Sequence, residues 1–252
     1  CSSDLTWTLG GFLMSLIGAK YLFLFALVLE ILSYFFIIQL SERHIYNNEK
    51  ENILNSFKTV LRHNYFNKLS LYLNLSTIFE SVATSIWVAA IILTYTRTFL
   101  HVDDFWFGLI NAAFFSGTII AGLWINGKDQ FFTKISYPVI IYIPLILAFI
   151  NVSFILHKSV LLALLISLLM GIFEDSRYIS LNSVVQREVP KEILTSTYIL
   201  NNLLSSVFFS LGTLGISLVV DNQGVMWAYV ISGVAYVLTF ILGLYFKIAI
   251  KN

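Results

Sequence analysis

Apolar runs the length of a bilayer dominate this sequence, and they constrain its fold more than any motif does. A membrane-spanning helix needs roughly 20 mostly apolar residues. Such runs lie at Tyr21–Leu40, Leu69–Tyr95, Asp104–Ile125, Ile135–Leu156, Ser159–Val185, Tyr198–Val220 and Val225–Phe246, with a shorter one at Leu5–Gly18. Turn and charge signals separate them at Ser41–Glu51, Arg97–Asp103, Asn126–Asp129, His157–Lys158, Arg187–Glu192 and Asp221–Gly224. A soluble bundle would carry a polar stripe on nearly every helix, whereas most of these runs are apolar all round. Charged residues are 12% of the chain, half the share of an ordinary soluble domain, which excludes a soluble enzyme. The expected fold is all-α: a polytopic membrane protein with eight transmembrane helices.

Basic residues set the orientation. With 41–68 in the cytoplasm, that side holds Arg43, Lys50, Lys58, Arg62, Lys68, Lys128, Lys134, Arg177, Arg187, Lys191, Lys247 and Lys251. The other side holds Lys20, Arg97 and Lys158, an asymmetry that follows the positive-inside rule. The expected site is the cell membrane, with the C-terminus cytoplasmic. Leu5–Gly18 would be about 21 Å long as a helix, short of a hydrocarbon core of about 30 Å. With no initiator Met and no basic flank, the chain reads as a fragment that opens partway through a helix, not as a signal peptide. Within the cytoplasmic segment, Ile53, Phe57, Val60 and Leu61 recur at helical spacing, as in an amphipathic helix on the membrane surface.

Soluble-protein chemistry finds no foothold. A net charge of +1 offers no nucleic-acid surface, and a single Cys excludes a disulfide framework or thiolate metal cluster. The His residues at 44, 63, 101 and 157 form no ligand pair on one helix face. His101, Asp103 and Asp104 are a conceivable metal set, but two Asp at a helix start are better read as caps for free N–H groups. No nucleophile elbow, P-loop or dinucleotide fingerprint occurs. No enzyme, cofactor or metal is implied.

Charges inside the spans are the informative residues, because an ionisable group at bilayer depth costs at least ~2.5 kcal/mol and usually has a task. They are Glu30, Glu80 and the cluster Glu174, Asp175 and Arg177. Counting from the cytoplasmic span ends, Glu30, Glu80 and Glu174 each lie about 15–17 Å deep, near the midplane. Thr77, Glu80, Thr84 and Trp87 fall on one helix stripe, and Ser167, Gly171, Glu174 and Tyr178 on another. Asn202, Ser206, Ser210, Thr213 and Ser217 make a third, which suits interhelical packing. The carboxylate-centred stripes suit a water-accessible cavity instead. An ion pair between Glu174 and Arg177 at i,i+3 is the structural alternative; if it forms, Glu80 is the better proton carrier. Between Asp104 and Ile125, Ala113, Gly117 and Ala121 are small-xxx-small pairs that allow close helix approach.

Together these features resemble the major facilitator superfamily, in which two six-helix bundles are joined by a long cytoplasmic segment. Leu9-Gly10-Gly11-Phe12-Leu13 with Gly18 resembles that family's fifth span, and 41–68 its central loop. Gly171 to Gln186-Arg187-Glu188-Val189-Pro190 and the turn Val219-Val220-Asp221-Asn222-Gln223-Gly224 are similar to the macrolide and siderophore exporter branch. The resemblance implies three regions. Residues 1–40 would be the end of an N-terminal bundle, 41–68 the central loop, and 69–252 a C-terminal six-helix bundle, with the rest of the N-terminal half missing. The loop from Gly122 to Lys134 departs from the family pattern, since Asn126 stands where an acid is usual and the Gly-Arg-Lys run is absent. Spans seven and ten line the cavity in the family, which favours Glu80 and Glu174 over Glu30.

The function expected from this is secondary active transport, with proton-coupled efflux of amphipathic or drug-like molecules by alternating access. Its partners would be a small-molecule substrate, protons and the lipid bilayer, with no nucleic acid. The pathway residues would be Glu80, Glu174, Asp175, Arg177, Thr77, Thr84, Trp87 and Asn202. An uptake carrier, or the permease subunit of an ATP-driven transporter docking its ATPase on 53–61, is the competing reading.

Overall fold

The computed structural model describes residues 19–39, 67–126 and 129–251. The chain divides into two compact units, Cys1–Asn52 and Ile53–Asn252. In the first, the described residues form one apolar helix, α1 (Ala19–Gln39), with Glu30 near its middle. The short run expected at 5–18 and the surface helix expected at 53–61 lie outside the described residues.

The second unit is helical throughout its described residues apart from short turns. In chain order it runs α2 (Lys68–Thr84), a 3-10 turn (Ser85–Trp87), α3 (Ala89–Thr94) and a π-helical turn (Tyr95–Phe99). Then follow α4 (Asp104–Asn126), α5 (Asp129–Leu156), α6 (Val160–Glu188), α7 (Lys191–Gln223) and α8 (Val225–Lys251). Among the described residues, four stretches are long and apolar enough to cross a membrane: Asp104–Ile125, Lys134–Leu156, Lys191–Gln223 and Val225–Lys247. A bent pair, Lys68–Trp87 with Ala90–Phe99, would make a fifth. The 29-residue α6 has the length of a span, but it carries Glu174, Asp175 and Arg177 in its second half.

Local chemistry explains where these helices start and stop. Asn67 caps α2 by accepting from the backbone N–H groups of Leu69 at 2.9 Å and Ser70 at 3.2 Å. The run expected as one span over 69–95 is not one straight helix. Val88 adopts an extended conformation (φ −61°, ψ 133°), and the chain bends by 45° there. Two expected loops shrink almost to nothing. Between α6 and α7, Pro190 cannot continue the helix and forces Val189 into an extended conformation (φ −88°, ψ 130°), so two residues suffice. Between α7 and α8 the turn is Gly224 alone, at φ 94°, a left-handed conformation that glycine adopts without steric cost.

Within this unit α4 packs along α6, α5 against α6 and α8, and α2 against α7 and α8. The α4–α6 crossing is the tightest. A methyl group on Gly117 would strike the carbonyl of Leu168, and one on Gly171 would strike that of Phe114. The two glycines thus let the backbones touch, as the small-residue pattern around Gly117 suggests. Gly108, on the same helix, has open space around it. One core cluster gathers Tyr95, Phe154 and Tyr229, a second Met170, Ala83 and Tyr236, and a third Tyr72, Val185 and Phe246. By contrast, α7 leaves Leu203, Val207, Leu211, Leu214 and Leu218 exposed.

Candidate functional site: a buried carboxylate–guanidinium cluster

Arg177 on α6 crosses to Glu80 on α2. Its Nη1 donates to Glu80 Oε2, and the two side chains keep 3% and 19% of their exposure. The alternative expected from spacing, an Arg177–Glu174 pair along α6, is not the one that forms. The reason is a third element. Arg177 Nε donates to the carbonyl of Ile140 on α5 at 3.2 Å, and Tyr72 Oη donates to the same oxygen at 3.2 Å. That carbonyl is open because the residue four positions on is Pro144, which has no N–H to give it. Pro144 thus frees on α5 an acceptor that Arg177 of α6 and Tyr72 of α2 share.

The cluster is not saturated. Glu80 Oε1, Arg177 Nη2 and Glu174 Oε2 are all buried with no hydrogen-bond partner among the described residues, as are Ser76 Oγ and Tyr236 Oη. Glu174 lies within electrostatic reach of Glu80, Asp175 and Arg177, and Tyr236 of Glu174, Glu80 and Arg177. Asp175 borders α4, where a Cβ on Gly122 would be 3.8 Å from its Oδ2. Transferring an unpaired charged group into such surroundings is costly, so an ionised Glu174 with a bare buried oxygen is unfavourable.

The remaining predicted residues scatter. Thr77 and Thr84 are half-buried, and their hydroxyls donate within their own helix, to Leu73 O at 2.9 Å and Ser81 O at 3.3 Å. Trp87 belongs to the 3-10 turn, where its ring stacks on Phe114 at 4.5 Å and meets Phe154 edge-on at 5.8 Å. Its Nε1 is buried without a partner. Asn202 is exposed on α7, with Ser206 and Ser210 of the same stripe. Of the stripe on α6, Gly171 is buried against α4 and Tyr178 is exposed. Glu30, on α1, belongs to the first unit. Elsewhere, Asp104 sits in the first turn of α4 and takes Arg97 in a two-pronged bridge at 2.7 and 2.6 Å. No group of three metal-ligating side chains occurs among the described residues.

Four contributors escaped the sequence reading: Tyr72, Ile140 with its Pro144, Ser232 and Tyr236. Ser232 on α8 donates to Ala83 O at 2.7 Å, where the α-helical pattern of α2 gives way to the 3-10 turn. Pro144 alone carried a readable signal, since a helical proline always exposes the carbonyl four residues earlier. The others are aromatic or small residues on apolar faces, where nothing in the spacing separates them from packing.

Comparison with known proteins agrees with this architecture. Residues 5–252 match the protein family described as transmembrane secretion effector, within the major facilitator superfamily. YfmI of Bacillus subtilis (strain 168), an uncharacterized MFS-type transporter, is 25% identical over 247 residues, 94% of this chain and 59% of YfmI. YjbB of the same organism, also an uncharacterized MFS-type transporter, is 25% identical over 165 residues, 66% of this chain and 41% of YjbB. The chain spans about half the length of these curated relatives.

Proposed function

The chain belongs to the transmembrane secretion effector family of the major facilitator superfamily, which places it among multi-pass membrane transporters and not among enzymes, and we propose that it serves proton-coupled efflux of amphipathic, drug-like molecules. The observation that carries this reading is the buried cluster in the second unit. A carboxylate paired to Arg177 and a second with an unpartnered buried oxygen lie together on α2, one arm of the bent apolar pair, and on the 29-residue α6. Ionisable groups at that depth mark proton and substrate pathways. In alternating access, a carboxylate that trades its proton as the cavity opens to each side in turn couples a proton gradient to transport. Because Arg177 occupies Glu80, Glu174 is the better proton carrier, with Asp175 beside it.

The same proposal keeps the division into an N-terminal bundle end (1–40), a cytoplasmic loop (41–68) and a C-terminal six-helix bundle (69–252). It also keeps the cell-membrane location and the cytoplasmic C-terminus. The likeness to the macrolide and siderophore exporter branch supports efflux over uptake. The test is flux of a lipophilic cationic dye in vesicles containing the full-length protein. An imposed pH gradient should drive dye movement in the parent, and Glu174→Gln should abolish it while leaving dye binding measurable. Dye flux that ignores the pH gradient and requires ATP overturns the reading, as does normal pH-driven flux in both Glu174→Gln and Glu80→Gln.

A further inference from the structure

Three buried polar atoms without partners meet in one place: Arg177 Nη2, Glu174 Oε2 and Glu80 Oε1. One is a donor and two are acceptors. The guanidinium is held by Nε on the Ile140 carbonyl at 3.2 Å and by Nη1 on Glu80, and its Nη2 is open. Pro144 keeps that carbonyl free of any helix donor. With Nε kept on that carbonyl, the planar guanidinium can swing as one rigid unit and carry both terminal nitrogens with it. Nη1 is on Glu80, while Glu174 stands three residues before Arg177 on α6, the spacing at which helix side chains are neighbours. Groups facing this guanidinium are Glu80 and Tyr72 from α2, Glu174 from α6 and Tyr236 from α8, with Asp175 beside Glu174. From α5 comes the Ile140 carbonyl, and α4 borders Asp175 with Gly122.

We propose, building on the function assigned to this site above, that Arg177 is a shared counter-ion that pivots on the Ile140 carbonyl between Glu80 and Glu174, so that the two glutamates together always hold one proton. In the arrangement described here Glu80 is ionised against Arg177 and Glu174 carries the proton. When Glu174 gives its proton to water on the open side, Arg177 follows the new negative charge and Glu80 takes a proton from the same water. One proton leaves and one enters, and the net charge of the cluster is unchanged. Pro144 is then a positioning residue, because an N–H at that position would compete for the pivot.

Infrared spectroscopy of the full-length protein in lipid vesicles reads the C=O stretch of a buried protonated carboxyl. Glu174→Gln should remove one such band. Glu80→Gln should remove the same band, because Arg177 then moves to Glu174 and ionises it. Glu80→Asp keeps the charge but shortens its reach, so it should weaken the band without abolishing it, and this variant serves if Glu80→Gln fails to fold. A band that survives both Glu80 variants at full strength shows a fixed structural pair and overturns the proposal. So does the lack of any band sensitive to Glu174→Gln. The band changes do not depend on flux: if they appear but the parent protein shows no pH-driven transport, the proposed function fails and the shared counter-ion stands.

Discussion

Among the arginine–carboxylate bridges of the second unit's described residues, two share the same chemistry in opposite surroundings. Arg97 and Asp104 join across a turn at a helix end, in a two-pronged bridge with side chains 56% and 59% exposed. Arg177 and Glu80 join two helices in the core, at 3% and 19%. Geometry alone would rank the exposed bridge higher, since both of its hydrogen bonds are made. Water reverses the ranking. An exposed pair competes with solvent and is worth little. A buried pair is worth little compared with an apolar replacement, but it is expensive to break, because one charge is left stranded. The exposed bridge is a local clasp; the buried one holds apart groups that would otherwise be intolerable.

The largest effect expected from this contrast follows removal of the buried cation. Arg177→Gln leaves Glu80 and Glu174 with no counter-ion, and breaking a buried pair from one side costs about 3–5 kcal/mol. Thermal unfolding of the purified protein in detergent should show a large fall in midpoint. The double variant Glu80→Gln/Arg177→Gln, with no charge stranded by the broken pair, should recover a good part of it. If the double variant is no better than Arg177→Gln, the guanidinium stabilises by packing and by its Ile140 contact, and the contrast with the surface bridge loses its electrostatic basis.

A second effect tests what holds α6 in place. Gly171→Ala puts a methyl group onto the Phe114 carbonyl, and Gly117→Ala puts one onto that of Leu168. Overpacking of this kind costs about 1–3 kcal/mol. Gly108→Ala, in open space on the same α4, should instead be neutral or gain up to about 1 kcal/mol from helix propensity. Equal midpoints for Gly171→Ala and Gly108→Ala would show that the α4–α6 crossing is looser than described.

These residues also show what a sequence can and cannot disclose. The apolar runs made the helices legible because hydrophobicity is a property of each segment by itself. The carboxylates Glu80 and Glu174 were legible for the same reason: a charge in an apolar run stands out without any partner in view. Partner choice was not. Spacing put Glu174 beside Arg177, whereas the fold gives Arg177 to Glu80, 97 positions away in the sequence. That outcome depends on the Ile140 carbonyl, and so on how α5 lies against α6. The break at Val88 was hidden too, because its neighbours Ile86, Trp87, Ala89 and Ala90 are all apolar, with neither Gly nor Pro to mark it. Ser232 tests how much that break relies on α8. Its hydroxyl is bonded to Ala83 O at 2.7 Å, and Ser232→Ala should cost about 1 kcal/mol, the usual worth of one buried hydrogen bond. No change in midpoint would mean that the Ala83 carbonyl is satisfied without it.

The smallest effect belongs to the exposed bridge. Arg97→Gln removes its cation, yet the turn it spans has other supports. Leu100 N donates to Tyr95 O at 3.1 Å, Val102 N to Thr96 O at 3.1 Å, and Trp106 N to Asp103 O at 3.0 Å. His101 adopts φ 55° within that turn, a left-handed conformation to which histidine is better suited than most residues. With the backbone already bonded on both sides of it, the turn should keep its shape when the bridge is gone. The unfolding midpoint of Arg97→Gln should therefore match that of the parent. Raising the salt concentration should change neither protein, because an exposed pair that is screened was contributing little before. The same salt series should leave the deficit of Arg177→Gln in place, since buried charges are screened far less. If Arg97→Gln instead falls as far as Arg177→Gln, and high salt erases the difference between parent and variant, the surface bridge is what secures this end of the unit. The distinction between the two bridges would then rest on position in the fold and not on burial.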